Sequence, residues 1–176
     1  GQITSYTHDA NDNLISHAFS GTTTYTYDAN DNLLQVTNAN GGSTSMTYDY
    51  NHDFLKTVSF GDFTDEYNYY DDGRLQSRED PNGNTFTYTY DSQKRLKSIL
   101  SDNDEVEYQY DANSNIESVL NEQGMISMTY DDLDRLTSTI DFFGNTVTYG
   151  YDAASNLISI TYPGNKTVQY QYEQDN

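Results

Sequence analysis

Apolar and polar residues alternate strictly in short runs that recur along the whole chain. The run "TFTYTY" (residues 85–90) places Phe86, Tyr88 and Tyr90 on one face of a strand and threonines on the other. The runs "EVEYQY", "TVTYGY" and "TVQYQY" repeat this pattern with valine in the first apolar position. A period of two in residues rich in Thr, Val and Tyr is typical of half-buried β-strands. The pattern therefore predicts an all-β chain.

A second, shorter strand is predicted in segments such as "NLLQVT", "RLKSIL", "NIESVL" and "NLISIT". Turns such as "NANGG", "DPNGN", "FFGN" and "YPGN" join the strands, because Gly and Asn accept the positive φ angles of hairpin turns. Each unit is thus predicted to be a β-hairpin followed by a bend. Leu96 and Ile99 have opposite strand parity, as do their counterparts in other units, so we place the leucine at the bend or at a bulge.

A Tyr-Asp pair, followed six residues after its tyrosine by an aliphatic residue, recurs every 19 to 21 residues. One unit, "YDYNHDFL", slips: Phe54 stands in the aliphatic position and Leu55 behind it, as if one residue had been inserted. A fixed period of this length indicates an array whose units bury their faces against their neighbours. The residues assigned to this structural repeat are Tyr27, Asp28, Leu33, Tyr48, Asp49, Tyr69, Leu75, Tyr90, Asp91, Leu96, Tyr110, Asp111, Ile116, Tyr130, Asp131, Leu136, Tyr151, Asp152, Leu157 and Tyr172.

These units resemble the YD repeat of the Rhs family: Tyr-Asp, three variable residues, Asn or Arg, Leu, a Ser or Thr two later, a Gly turn and a closing Tyr-x-Tyr. Residues 69–91, with Tyr70 in the Asp position, match this pattern most closely. The family includes bacterial polymorphic toxins, the shell subunits of insecticidal toxin complexes, and teneurins. The resemblance implies tandem β-hairpins of about 20 residues that form a curved, spiralling antiparallel sheet. Residues 1–176 are then one array of about eight repeats within a longer array.

The fourth residue after the tyrosine is commonly Gly in such repeats, but only Gly73 fits here. The other units carry Asp12, Asp31, His52, Lys94, Ser114, Asp134 and Ser155 at this position. Lys94 would be strained by a positive φ, so we expect the bend to differ from that of the family. The Asp of each Tyr-Asp pair is predicted to form an Asx-type turn, in which its carboxylate accepts backbone N–H groups.

Charge and composition exclude several kinds of partner. The chain has 28 acidic and 8 basic residues, a formal net charge of -20, and no cysteine. Such a surface repels nucleic-acid phosphates and anionic membranes, and no apolar run is long enough to insert into a membrane. The absence of cysteine excludes disulfides and thiolate zinc sites.

The "DANDN" segments at residues 9–13 and 28–32 place oxygen ligands at alternate positions, like the opening of a calcium loop. They lack the Gly and Glu that complete such a loop, so turn formation is the main interpretation and calcium a weak alternative. The calcium candidates are Asp9, Asn11, Asn13, Asp28, Asn30 and Asn32. We expect no other cofactor. No catalytic residues are assigned either, because His8, His17 and His52 lack metal-ligand spacing and no catalytic constellation interrupts the period.

The main functional hypothesis is a structural wall segment of a large secreted or surface Rhs protein, presumed bacterial by the resemblance, that encapsulates or displays an effector. The alternative is a self-associating extracellular filament, or an adhesive or glycan-binding surface, built from the same repeats. Both ends of the chain stand at the same phase of the repeat, and open edge strands template further pairing. The predicted partners are therefore other copies or further repeats, then an enclosed effector domain or glycans. Salt or calcium is expected to strengthen head-to-tail stacking by screening the charge.

Overall fold

The structure is a computed structural model that describes residues 4–172, and these residues form β-strands, turns and bends. None of the described residues lies in a helix that could cross a membrane. The strands are β1 (Ser5–His8), β2 (Leu14–Ala18), β3 (Thr22–Tyr27), β4 (Leu33–Thr37), β5 (Ser43–Tyr48), β6 (Leu55–Phe60), β7 (Phe63–Tyr69), β8 (Leu75–Glu79), β9 (Thr85–Tyr90), β10 (Leu96–Leu100), β11 (Glu105–Tyr110), β12 (Ile116–Asn121), β13 (Gly124–Tyr130), β14 (Leu136–Ile140), β15 (Thr146–Tyr151), β16 (Leu157–Tyr162) and β17 (Lys166–Gln169).

The chain divides into two compact units, residues 1–88 and 89–176, with the boundary inside β9. In the first unit each strand from β1 to β9 pairs antiparallel with the next. In the second unit the strands from β10 to β17 do the same. The prediction of an all-β chain of tandem antiparallel hairpins is confirmed.

A β-bulge lies at each of the seven bends for which strand pairing is described. In β11, Tyr108 pairs with Val119, but the register then shifts so that Tyr110 pairs with Ile116. The extra residue increases the local twist and reverses the parity of the following positions. This explains why the bend aliphatic residue and the apolar residue three positions later can both pack, as predicted. In the unit with the insertion, Leu55 pairs with Tyr48. Leu55, not Phe54, therefore occupies the aliphatic position.

The two faces of each sheet differ in chemistry. The register places Tyr108, Val119 and Ile126 on one face, which we call the apolar face. The opposite face, here the hydroxyl face, is rich in Ser and Thr, whose side chains bond across strands. Thr89 Oγ1 lies 2.8 Å from Ser98 Oγ, for example. Cross-strand hydroxyl pairs of this kind stabilise neighbouring strands by a few tenths of a kcal/mol up to about 1 kcal/mol each.

No hydrophobic side chain of the described residues is fully buried, and Leu96, placed at the bend from sequence, is only half-buried. The two buried residues are serines of the hydroxyl face, Ser98 and Ser118. The accessible surface is 12258 Å², whereas a globular chain of 20.0 kDa is expected to expose about 8,700 Å². Contacts between adjacent hairpins, rather than a central core, hold these units together.

Candidate functional site

The bends after each Tyr-Asp pair are the most regular feature of the molecule. At Asp111, Oδ1 accepts hydrogen bonds from the backbone N–H groups of Asn113 and Asn115, both at 2.9 Å. Oδ2 accepts a third bond from Asn115 Nδ2 at 3.1 Å. The carboxylate thus pairs backbone donors that no strand partner reaches. The same pair of backbone bonds forms at Asp9, Asp28, Asp91, Asp131 and Asp152. The predicted Asx-type turn is confirmed.

These bonds lower the pKa of the bend aspartates. For Asp111 the side-chain bond from Asn115 is the largest cause, opposed by partial desolvation and assisted by the backbone bonds. The pKa of Asp152 is lowered in the same way by Asn156. Hydrogen bonds to a carboxylate favour its charged form, so these groups stay ionised at neutral pH.

In every described bend except the lengthened one, the fourth residue after the repeat tyrosine, or after His8, adopts the left-handed conformation, whatever its type. Lys94 has φ 67° and Ser114 has φ 75°, close to the 85° of Gly73. The expectation that Lys94 would force a different bend was wrong, because the surrounding hydrogen bonds fix the turn and the lysine accepts the strain. In the lengthened bend the left-handed residue is Asp53, not His52, since the inserted residue shifts the position by one.

Successive bends are joined by amide side chains. Asn115, which hydrogen-bonds Asp111 in its own bend, also donates to Asp134 Oδ1 of the next bend at 2.7 Å, and Asn113 donates to the same oxygen at 2.8 Å. Asp134 is the left-handed residue of its bend. The equivalent bonds run from Asn11 and Asn13 to Asp31 and from Asn30 and Asn32 to Asp53.

Arginine replaces asparagine in two of these links. Arg135 Nε donates to Asp131 at 2.7 Å, while its NH1 donates to the carbonyl of Asp152 and to Ser155 Oγ in the next bend, at 3.1 and 3.2 Å. Its guanidinium lies 4.8 Å from the centre of the Tyr151 ring, a cation–π distance. Arg95 makes the same set of contacts with the bend that contains Ser114.

The link residues therefore form five matched pairs, in which Asn is followed by Asp in the next bend, or Arg by Ser; Phe54, followed by Gly73, and Arg74, followed by Lys94, do not fit this pairing. The reasoning from sequence recognised Asn or Arg at the fifth position after the tyrosine, but it treated the fourth position as variable and missed this pairing. The signal was present, because the pairs Asn13 and Asp31, Asn32 and Asp53, Arg95 and Ser114, Asn115 and Asp134, and Arg135 and Ser155 can all be read from the chain once the period is known.

The repeat tyrosines join neighbouring units in a second way. The Tyr110 hydroxyl donates to the carbonyl of Leu96, the bend aliphatic residue of the previous unit, at 2.8 Å. Partial desolvation is the main cause that raises the Tyr110 pKa, so the phenol stays a donor. The same bond links Tyr27 to Leu14, Tyr48 to Leu33, Tyr130 to Ile116, Tyr151 to Leu136 and Tyr172 to Leu157.

The calcium candidates are engaged in these turns. The Asp9 and Asp28 carboxylates accept bonds within their own bends, and the side-chain nitrogens of Asn11 and Asn13 point at Asp31. Residues 4–172 contain no group of three or more His, Asp or Glu side chains placed to hold a metal ion. Calcium binding stays a prediction, and it would have to displace existing hydrogen bonds.

Two family models match the sequence. The RHS Repeat model matches residues 8–43, 27–53 and 130–167. The Teneurin YD-shell model matches residues 81–143. Between them the matches extend over residues 8–53 and 81–167. No curated protein matches the sequence significantly.

Several solved structures share the fold. The structure of TcdB2-TccC3-Cdc42 superposes with a TM-score of 0.83 at 19% identity over 96% of this chain and 12% of that chain. TcdB2-TccC3 without its hypervariable C-terminal region gives a TM-score of 0.81 at 20% identity, with 96% and 12% covered. A Photorhabdus luminescens Tc holotoxin pore gives 0.73 at 22% identity, with 85% and 9% covered.

This chain thus spans 9% to 12% of the lengths of these three solved chains. At these identities the likeness shows the fold. The hairpin array, the Tyr-Asp bends and the two matching family models together show that residues 8–53 and 81–167 are built of YD (Rhs) repeats.

Proposed function

We propose that this chain is a wall segment of a secreted bacterial YD-repeat protein that encloses or displays an effector domain. The observation that carries the proposal is the lack of a core: in the described residues every apolar side chain stays at least partly exposed. A sheet whose two faces are both exposed has no core of its own, so it is better suited to separate an interior from the solvent than to act as a self-contained domain. The bends support this role, because five of them are linked to the next bend by side-chain hydrogen bonds outside the strands.

The fold neighbours support the same role, since they are structures of Tc toxin complexes and one of them is a holotoxin pore. We assign no catalytic step to this segment. The repeated aspartates bond their own turns, and the repeated tyrosines bond neighbouring carbonyls.

Cysteine labelling provides the test, because the chain contains no cysteine of its own. Met125 and Ile126 are adjacent in β13, are 53% and 39% exposed, and lie on opposite faces. Met125→Cys and Ile126→Cys would be made both in this chain alone and in the full-length protein that contains it. In the chain alone, a maleimide carrying polyethylene glycol should label both positions.

In the full-length protein, a closed wall protects the cysteine that faces the interior and leaves the other reactive. We expect the labelling rates of the two cysteines to differ by about tenfold or more in the full-length protein, which corresponds to about 1.4 kcal/mol, and to be similar in the chain alone. Equal labelling of both positions in the full-length protein would refute the wall.

A further inference from the structure

Two hairpin turns of the first unit contain an Asn-Gly pair: Asn40 and Gly41 lie between β4 and β5, and Asn82 and Gly83 lie between β8 and β9. Both asparagines are exposed. Asparagine is most prone to spontaneous deamidation before glycine, because the glycine nitrogen has no neighbouring side chain to hinder its attack. A Cβ atom built on either glycine would meet nothing within 4 Å, so both pairs lie in open space.

These two turns, at residues 38–42 and 80–84, share one backbone geometry. The glycine is left-handed in both, with φ 83° at Gly41 and 84° at Gly83. The Gly41 N–H donates to the carbonyl of Asn38, and the Gly83 N–H donates to that of Asp80, both at 2.9 Å. Each bond occupies the N–H group that must lose its proton, so a turn has to open before it reacts. The reaction rate then follows the equilibrium between the closed and the open turn.

Turn 80–84 is held closed by a carboxylate. Asp80 Oδ1 accepts the backbone N–H groups of Asn82 and Asn84 at 2.9 and 3.0 Å, and Oδ2 accepts a bond from Asn84 Nδ2 at 2.8 Å. The side-chain bond from Asn84 is the largest cause that lowers the Asp80 pKa, so the acceptor is ionised at neutral pH. Hydrogen bonds to an ionised acceptor are roughly twice as strong as those between neutral groups.

Turn 38–42 is held by fewer and weaker bonds. Its first residue, Asn38, offers a neutral amide oxygen, which accepts the backbone N–H groups of Asn40 and Gly42 at 2.9 and 3.0 Å. Gly42 stands where turn 80–84 has Asn84, so the third, side-chain bond has no counterpart. This turn therefore opens more readily than turn 80–84.

We propose that Asn40 is a site of spontaneous deamidation, and that its weakly held turn makes it react faster than Asn82. The Gly41 nitrogen loses its proton and bonds to Asn40 Cγ, while the bond between Cγ and the amide nitrogen breaks and ammonia leaves with that proton. Water then opens the resulting cyclic imide at either carbonyl. The products are aspartate and isoaspartate, and either adds a negative charge to a chain that already carries -20.

Asparagines of the bends are held differently. Asn113 precedes Ser114, and its side-chain amide donates to Asp134 Oδ1 at 2.8 Å. The side-chain amides of Asn40 and Asn82 have no hydrogen-bond partner among residues 4–172. The link between bends therefore protects Asn113, which serves as an internal reference.

The test is incubation of the folded chain in mildly alkaline buffer. Peptide mass spectrometry measures conversion at each asparagine, and an isoaspartate-specific methyltransferase detects the rearranged product. We expect Asn40 to convert about tenfold faster than Asn82, the ratio that one net hydrogen bond corresponds to, and Asn113 to convert more slowly than both. In the chain unfolded in urea, Asn40 and Asn82 should convert at similar rates, because both precede glycine.

Exchanging the first residues of the two turns tests the cause. Asn38→Asp should slow conversion of Asn40 about tenfold, and Asp80→Asn should accelerate conversion of Asn82 by a similar factor. In each variant the unchanged turn is the control. The proposal is overturned if Asn40 does not convert in the folded chain, if Asn82 converts as fast, or if either exchange leaves the rate in its own turn unchanged. A rate ratio that persists in urea would also overturn it, because the turns would then play no part.

Discussion

The bond from each repeat tyrosine to the previous unit makes a specific prediction about stability. Tyr130→Phe removes only the hydroxyl that donates to the Ile116 carbonyl at 3.0 Å and keeps the ring. A single net hydrogen bond contributes about 0.5–1.5 kcal/mol. The loss falls between two neighbouring hairpins, and units that contact only their neighbours transmit it locally. We expect the free energy of unfolding to fall by about 1 kcal/mol.

Urea unfolding followed by circular dichroism measures this change. With a denaturant slope of about 1–3 kcal/mol/M, a loss of about 1 kcal/mol moves the midpoint by roughly 0.3–1 M. Tyr108→Phe is the control, because Tyr108 lies in a described strand and its hydroxyl has no hydrogen-bond partner among residues 4–172. The control should stay within about 0.5 kcal/mol of the unchanged chain. Equal losses in the two variants would show that the hydroxyl bond contributes nothing.

Three further predictions concern the bends. In a double-mutant cycle on Asn115→Ala and Asp134→Ala, urea unfolding should give a coupling energy of about 1 kcal/mol, and additive losses would argue against the link between bends. Lys94→Gly should raise the free energy of unfolding by about 0.5–1 kcal/mol, because glycine adopts the positive φ without strain. The control, Lys97→Gly in β10, should lower the free energy of unfolding. If both variants were less stable than the unchanged chain, Lys94 would be unstrained. Stability against unfolding should be greatest near about pH 4, because protonation of surface carboxylates reduces repulsion as the pH falls towards it. Below the ordinary aspartate pKa of 3.8, stability should decrease again. The bend aspartates such as Asp111 have a lowered pKa in the folded state and lose their stabilising charge as the pH falls through that lowered pKa. Thermal unfolding that improves steadily down to pH 2 would contradict this assignment.

The strands were predictable because their chemistry is local. Alternation in runs such as residues 85–90, together with turn residues such as Gly83, specified each hairpin, and the Tyr-Asp period specified their order. The bulge beside Ile116, opposite Tyr110, also followed from sequence, because the parity of apolar positions changed across the bend.

The conformation of Lys94 and the role of the variable bend positions were not predictable in the same way. Intrinsic preference disfavours a positive φ for lysine, but the backbone bonds that close the turn override it. The links from Asn115 and Arg135 connect residues about 20 positions apart, so reading each bend alone could not reveal them. The Phe54 ring of the lengthened bend packs 5.1 Å from the Tyr69 ring beside the next bend, and sequence showed the irregularity of each bend without this contact.

The matched link residues have a consequence for how such arrays can be edited. A block of one period that is duplicated, deleted or moved keeps such a link where the new junction again places Asp after Asn, or Ser after Arg; junctions without this pairing also occur, since Gly73 follows Phe54 and Lys94 follows Arg74. The bend that contains Ser114 and Asn115 is followed by the bend of Asp134, whose carboxylate accepts bonds from both Asn113 and Asn115. If that bend were duplicated in tandem, the amides of the first copy would face the hydroxyl of the second copy's Ser114 instead of a carboxylate. The paired side chains at these left-handed turns thus favour some neighbouring repeats over others as the array lengthens or shortens.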